Sequence, residues 1–285
     1  METWQLLILP IVGLAAGVLG GLLGVGGSVV MIPAMVLLLG QGLTPGYDQH
    51  LYQAAAMLVN VAIAGPAAYR HAKAGAVMRA VVIALVPGAL LGIVLGVLLS
   101  NTALFAGPDG VLWLQRAFGA FAAYVALLNA RKWWQAQHET NSRRATLVGS
   151  AAEPPVQDQA KPPVTRTAPV GLATGLIAGL LGIGGGALAV PLQQLALKLD
   201  LRNCIANSAM TITVTAGIGA AIKLATLDQH GSNVTNAWLL FACLAPTGVV
   251  GSLLGAKLTH RLPTTHVRLA FVLLMAVVSI RLLAG

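Results

Sequence analysis

The sequence predicts an all-α polytopic membrane protein made of two inverted repeats, each a Gly-tipped re-entrant helical hairpin followed by three transmembrane helices. Three observations predict it. Hydrophobic residues make up 57% of the 285 and charged residues 9%, with a mean hydropathy of +0.81, so water is not the main solvent of this chain. The stretch GLAAGVLGGLLGVGGSVVMIP at Gly13–Pro33 returns as GLATGLIAGLLGIGGGALAVP at Gly171–Pro191, identical at 11 of 21 positions, which marks a duplicated unit. The Lys and Arg residues, finally, are distributed among the loops in the way expected of two oppositely oriented halves.

The first unit covers residues 1–137. It opens with a Gly-interrupted segment, Trp4–Leu39, and continues with three apolar segments, Leu51–Tyr69, Val77–Leu99 and Leu112–Trp134. A helix needs about 20 apolar residues to cross ~30 Å of hydrocarbon, and these segments are of that order. Residues 138–168 are rich in Glu, Arg, Gln, Ser and Pro. They carry too little apolar surface to fold alone and read as a flexible cytoplasmic linker. The second unit, 169–285, repeats the order: Pro169–Leu199 with its glycines, then Cys204–Ala225, Ala237–Leu258 and Val267–Leu283. Pro87–Ser100 matches Pro246–Thr259 in its proline and two glycines. Trp113, Trp133, Trp134 and Trp238 lie near segment ends, at headgroup level for a bilayer protein.

Arg70, Lys73 and Arg79 share one loop, and Arg131, Lys132, Arg143 and Arg144 lead into the linker, whereas Gly40–His50 and Asn101–Val111 hold no Lys or Arg. Basic loops stay in the cytoplasm. A parallel second half would export Lys198, Arg202, Lys257, Arg261 and Arg268 and retain only Lys223; an inverted one does the opposite, which favours inversion. The linker and the Lys198–Arg202 loop then share a side, so the Gly-interrupted segment enters and returns. Its limbs Val170–Leu181 and Ala187–Leu199 are each ~18 to 20 Å long as helices, too short to cross.

Irregular backbone is tolerated within a membrane only where protein or a watery cavity shields it, so the glycine tips face the site. They are Gly24–Val25–Gly26–Gly27–Ser28 and Gly182–Ile183–Gly184–Gly185–Gly186. Each precedes a half-helix whose N-terminal N–H groups and dipole suit an anion. Close helix packing through small residues is the competing reading of the same glycines. The candidate substrate-binding set is Gly24, Gly26, Gly27, Ser28, Asn60, Gly182, Gly184, Gly185, Gly186, Gln193, Asn207, Ser208 and Thr211. Asn207, Thr211 and Thr215 are four apart and so share a helical face, either lining a path or bonding to neighbours. Arg70, Lys73 and Lys223 border the segments and read as solvated, orienting charges.

Every Asp and Glu lies in a terminus, loop or linker and no His sits in the middle of a predicted span, which argues against an intramembrane proton relay or cation site. The formal charge of +9 sits in loops rather than on a basic face, so no nucleic-acid partner is expected. Cys204 and Cys243 have no CxxC spacing, and neither a metal nor another cofactor is expected. No HExxH, GxSxG or intramembrane Asp pair marks an enzyme. A transporter of a small anion, or else a membrane scaffold, remains, with the lipid bilayer as solvent and a homodimer left open.

The chain resembles the sulfite exporter TauE/SafE family of bacterial membrane transporters. The residues that carry the resemblance are GLLGVGGSVVMIP and GLLGIGGGALAVP, Ala206–Asn207–Ser208, Tyr69–Arg70–His71 with Gly75–Ala76–Val77, and the Gly-spaced segments after Pro87 and Pro246. The resemblance covers nearly all but the linker. It implies two inverted repeats in a bacterial inner membrane and movement, with export expected, of sulfite or an organosulfonate. One departure is Ala54–Ala55–Ala56, where the family often has a hydroxyl residue as at Ser208. The long linker is a second.

Overall fold

The computed structural model describes residues 3–39, 48–102, 162–283 and most of 110–135. The loop at 40–47 and the linker up to residue 161 lie outside the described residues. The described chain is all helical: α1 Thr3–Leu23, α2 Ser28–Leu39, α3 Asp48–Lys73, α4 Arg79–Ser100, α5 within 110–135, α6 Val164–Leu181, α7 Gly186–Ala196, α8 Leu201–Ala225, α9 Val234–Arg261 and α10 Thr264–Leu283. A 3-10 turn, Leu227–His230, joins α8 towards α9. Five of these helices, α3, α4, α6, α8 and α9, are long and apolar enough to cross a membrane. Exposed Ile83, Leu91 and Leu98 on α4, Leu7 and Ile11 on α1, and Val277 and Ile280 on α10 would be costly in water but suit a lipid-facing surface.

The Gly-interrupted segments differ from the expected equal half-limbs. α6 starts at Val164 rather than near Val170, so its 18 residues measure about 27 Å, and the 21 of α1 about 32 Å. The second limbs, α2 with 12 residues and α7 with 11, reach only about 16 to 18 Å. Thr165, Arg166 and Thr167 at the start of α6 extend the apolar part with residues that tolerate water.

Glycines at every fourth position put one flat stripe on a helix, and two such stripes bring backbones together. On α6, Gly171, Gly175 and Gly179 face the carbonyls of Leu85, Ala89 and Ile93, while Gly88, Gly92 and Gly96 of α4 face those of Ala168, Leu172 and Leu176. A Cβ at any of them would overlap the opposite backbone. The equivalent contact joins α1 to α9, where Gly13, Gly17 and Gly21 face Leu244, Gly248 and Ser252. Both pairs run parallel, since the partner numbers rise together. The first helix of each half thus packs on the fourth helix of the other half.

α3 and α8 form the centre, and they run antiparallel. Met57 lies against Gly219, Val61 against Gly217 and Gly65 against Thr213, and His50 Nδ1 is 2.9 Å from Lys223 Nζ.

Candidate functional site

Both tips meet at the middle of α3. Gly24, Gly26, Gly182, Gly184 and Gly185 have φ between +65° and +103°, a region open to glycine but strained for other residues. Left-handed Gly182 ends α6 and, with Ile183, returns its N–H to the Ala178 carbonyl, satisfying groups the helix end would orphan. The chain then turns through Gly184 and Gly185 into α7.

Asn60 ties the tips to each other. Its Oδ1 accepts from the N–H of Gly27 at 2.7 Å and of Ser28 at 3.2 Å. Its Nδ2 donates to Ser28 Oγ at 2.8 Å and to the Ile183 carbonyl at 3.3 Å, and Ser28 Oγ donates to the same carbonyl at 2.7 Å. Ser208 Oγ of α8 donates to the Gly24 carbonyl at 2.7 Å, and Thr215 Oγ1 to the Gly184 carbonyl at 3.2 Å. Gly186 sits against the backbone of Val25. The N-terminus of α2 is therefore capped by a side chain from α3. The N-cap residue of α7 is Gly185, and among the described residues no side chain caps that end.

A small pocket adjoins this end. Gly184, Gly185, Ser208, Thr211, Thr215 and Thr174 line it, with Ala89, Gly175, Ala189 and Ile212; the surface it now exposes is apolar, because the four hydroxyls are turned to backbone carbonyls. Thr174 and Thr211 now donate to the carbonyls four residues back. Those carbonyls are also helix acceptors, so either hydroxyl can turn towards a ligand at small cost. A second small pocket lies beside the first tip and is lined by Gly20, Gly24, Gly26, Ile63, Ala64, Ala67, Ala209 and Ile212. It is apolar but for backbone, and Ile212 belongs to both walls.

The structure thus gathers Gly24, Gly26, Gly27, Ser28, Asn60, Gly182, Gly184, Gly185, Gly186, Ser208 and Thr211 at the seam between the tips. Gln193 and Asn207 stand apart from it. Asn207 Nδ2 donates to Gln193 Oε1 at 3.2 Å, and Asn207 Oδ1 accepts from Met78 N–H at 2.8 Å at the start of α4. Together they join α7, α8 and α4.

Lys223 is not the solvated charge that its position near a segment end suggested. Its exposure is 1%, and Nζ donates to Ser100 Oγ at 2.7 Å and Asn101 Oδ1 at 3.0 Å, beside His50 Nδ1. It lies two turns beyond Thr215 on the Asn207–Thr211–Thr215 face, which is the signal that could have found it. At the corresponding place in α3, buried His71 sits 3.0 Å from His260 Nε2 and 3.2 Å from the Gly21 carbonyl. Gln53, overlooked in the sequence because it lies near the start of its segment, is fully buried. Its side chain packs on Gly182, and neither Oε1 nor Nε2 has a hydrogen-bond partner among the described residues. Its spacing of seven from Asn60, two helical turns, was the available clue.

A lipid-facing helical bundle with buried polar groups and a small cavity where irregular backbone meets at its centre is the build of a membrane transporter. The sequence pattern of the sulfite exporter TauE/SafE family matches residues 9–282, and the chain belongs to that family. It is 30% identical to the probable membrane transporter protein MamO of Magnetospirillum gryphiswaldense over 98% of its own length and 45% of that protein's. It is 26% identical to the probable membrane transporter protein YunE of Bacillus subtilis, over 96% of this chain and 94% of YunE. A probable membrane transporter protein of Xylella fastidiosa is 30% identical over 88% of this chain and 82% of its own. The chain spans less than half the length of MamO. No solved structure matches it. The family is described as one of sulfite exporters, and each of these relatives as a probable membrane transporter.

Proposed function

We propose that this transporter moves a small sulfur-containing anion, sulfite or an organosulfonate, outward across a bacterial inner membrane, and that the anion's oxygens bind at the uncapped start of α7. The observation that carries the reading is the pairing of that free helix end with rotatable hydroxyls on Thr174 and Thr211 in one cavity. N–H groups and hydroxyls are the donors an oxyanion needs, and the helix dipole adds to them. No side chain lining the cavity is acidic. The small apolar pocket across Ile212 is the part of the site that would have to widen to take an organic moiety.

Inverted repeats are the arrangement this reading uses. The antiparallel α3–α8 pair supports it, since corresponding helices of inverted halves run oppositely. The parallel α4–α6 and α1–α9 pairs agree with the orientations that the Lys and Arg distribution suggests, linker inside. A scaffold has one observation in its favour, because the glycine stripes of α1, α4, α6 and α9 serve close helix packing.

Thermal stability of the purified protein with sulfite, sulfate, taurine, sulfoacetate or acetate tests the proposal, with Thr211→Val beside the wild type. Selective stabilisation by a sulfur oxyanion, weakened in Thr211→Val, supports it. A flat response to all five favours the scaffold.

A further inference from the structure

We propose that Lys223 and Gln53 form a second anion station, which receives the small oxyanion on its way to the hydroxyl-lined cavity and is separated from that cavity by Met57 and Ile93. The proposal rests on the anion reading above. Lys223 Nζ has three acceptors around it, Ser100 Oγ, Asn101 Oδ1 and His50 Nδ1. They match the three donors of an ammonium, yet none carries a negative charge. Hydrogen bonds satisfy its donors, and among the described residues no acid compensates its charge, a costly state inside a membrane protein and one associated with ligand paths.

Gln53 supplies the independent observation. It lies one helical turn inward from His50 on α3, is fully buried, and has both amide ends unsatisfied among the described residues. Such a group is an exception that calls for a partner. The antiparallel register that sets Met57 against Gly219 puts Gln53, four residues earlier on α3, level with Lys223, four later on α8. One oxyanion would then give Lys223 a charged acceptor in place of Asn101 and accept from Gln53 Nε2. Asn101, half-buried and also bonded to Thr226 Oγ1 at 2.8 Å, is the side of the cluster nearest water.

The route inward follows one face of α8. Thr211, Thr215, Gly219 and Lys223 are spaced by four, so Lys223 stands about 12 Å along the helix from Thr215. Between them, a Cβ at Gly219 would come within 2.9 Å of Met57 Sδ and 3.0 Å of Ile93 Cδ1. Those two side chains fill the gap. A methionine changes rotamer readily, so its movement is the smallest one that joins station to cavity.

Exchange of radiolabelled sulfite in proteoliposomes, measured over a range of concentrations, tests the station. Lys223→Gln should raise KM about tenfold with the maximal rate little changed, and Lys223→Arg should restore most of the affinity. Gln53→Leu should also raise KM while raising the thermal stability, because it removes an unsatisfied buried amide; a purely structural glutamine would not separate the two. Gly219→Ala should lower the maximal rate with KM held. An unchanged KM in both Lys223→Gln and Gln53→Leu, with an active wild type, overturns the station alone, as does an Arg variant no better than Gln. If the wild type exchanges neither sulfite nor sulfoacetate, the anion reading fails and takes the station with it.

Discussion

The two glycine tips share a sequence motif and left-handed glycines at Gly24 and Gly182 and at Gly26 and Gly184, but Gly185 is left-handed where Gly27 is not, and they end differently. At the first, the N–H groups of Gly27 and Ser28 are closed by Asn60; at the second, no described side chain caps the start of α7, which adjoins a pocket whose threonine hydroxyls are turned to helix carbonyls. Duplication preserved the first two left-handed glycines of the turn, while its last step and the side chains facing it diverged. The repeat position matching Asn60, taken from the alignment of Ala54–Ala56 with Ala206–Ser208, is Ile212. One half supplies an amide where the other supplies a wall. The lesson is that the first tip holds the fold and the second is free to hold a ligand.

Removing the amide breaks this division most directly. Asn60→Ala strands the N–H groups of Gly27 and Ser28 and strips one of two donors from the Ile183 carbonyl. Each unsatisfied buried group costs about 1–3 kcal/mol, so the total expected is about 3–5 kcal/mol. Thermal unfolding in detergent measures it; a loss below that of a single hydrogen bond would mean that the tips do not depend on Asn60. Its counterpart, Ile212→Ala, leaves the bonds intact and fuses the two cavities. The expected cost is about 2–4 kcal/mol, and larger sulfonates should then stabilise the protein better relative to sulfite than they do in the wild type.

The serines sharpen the comparison on a smaller scale. Ser208 Oγ is the side-chain donor to the Gly24 carbonyl, whereas the Ile183 carbonyl receives both Ser28 and Asn60. Ser208→Ala should therefore destabilise by about 1–2 kcal/mol and Ser28→Ala by no more than about 1 kcal/mol. Equal losses would contradict the inequality between the tips.

Much of this was legible in the sequence, for physical reasons. α3, α8 and α9 fall within a few residues of the expected segments because an apolar run long enough to cross a bilayer leaves little choice of structure. The tips were legible because positive φ requires glycine. What escaped depended on contacts between distant residues. Lys223 looks like a loop charge until α4 brings Ser100 and Asn101 to it. Asn207 shares a face with Thr211, yet it serves Met78 at the start of α4, because the path and the joint lie at different heights on one helix. Gln53 carries no local signal beyond its spacing from Asn60. The unequal limbs of the Gly-interrupted segments escaped too, since apolar content does not mark where α6 begins in its hydroxyl-rich first turn.

The smallest expected effect on stability is the most informative about ligand. Thr211→Val keeps the shape of the side chain and removes a hydroxyl that now serves a carbonyl already bonded within α8. The fold should shift by less than about 1 kcal/mol. Stabilisation by a sulfur oxyanion should nevertheless fall, because the variant removes a donor from the cavity at the uncapped tip. Thr213→Val is the control: this residue also bonds to the carbonyl four residues back, but it does not line that cavity. If both variants lose the anion response equally, hydroxyls on α8 act through helix geometry and not through the ligand, and the distinction drawn between the two tips loses its functional half.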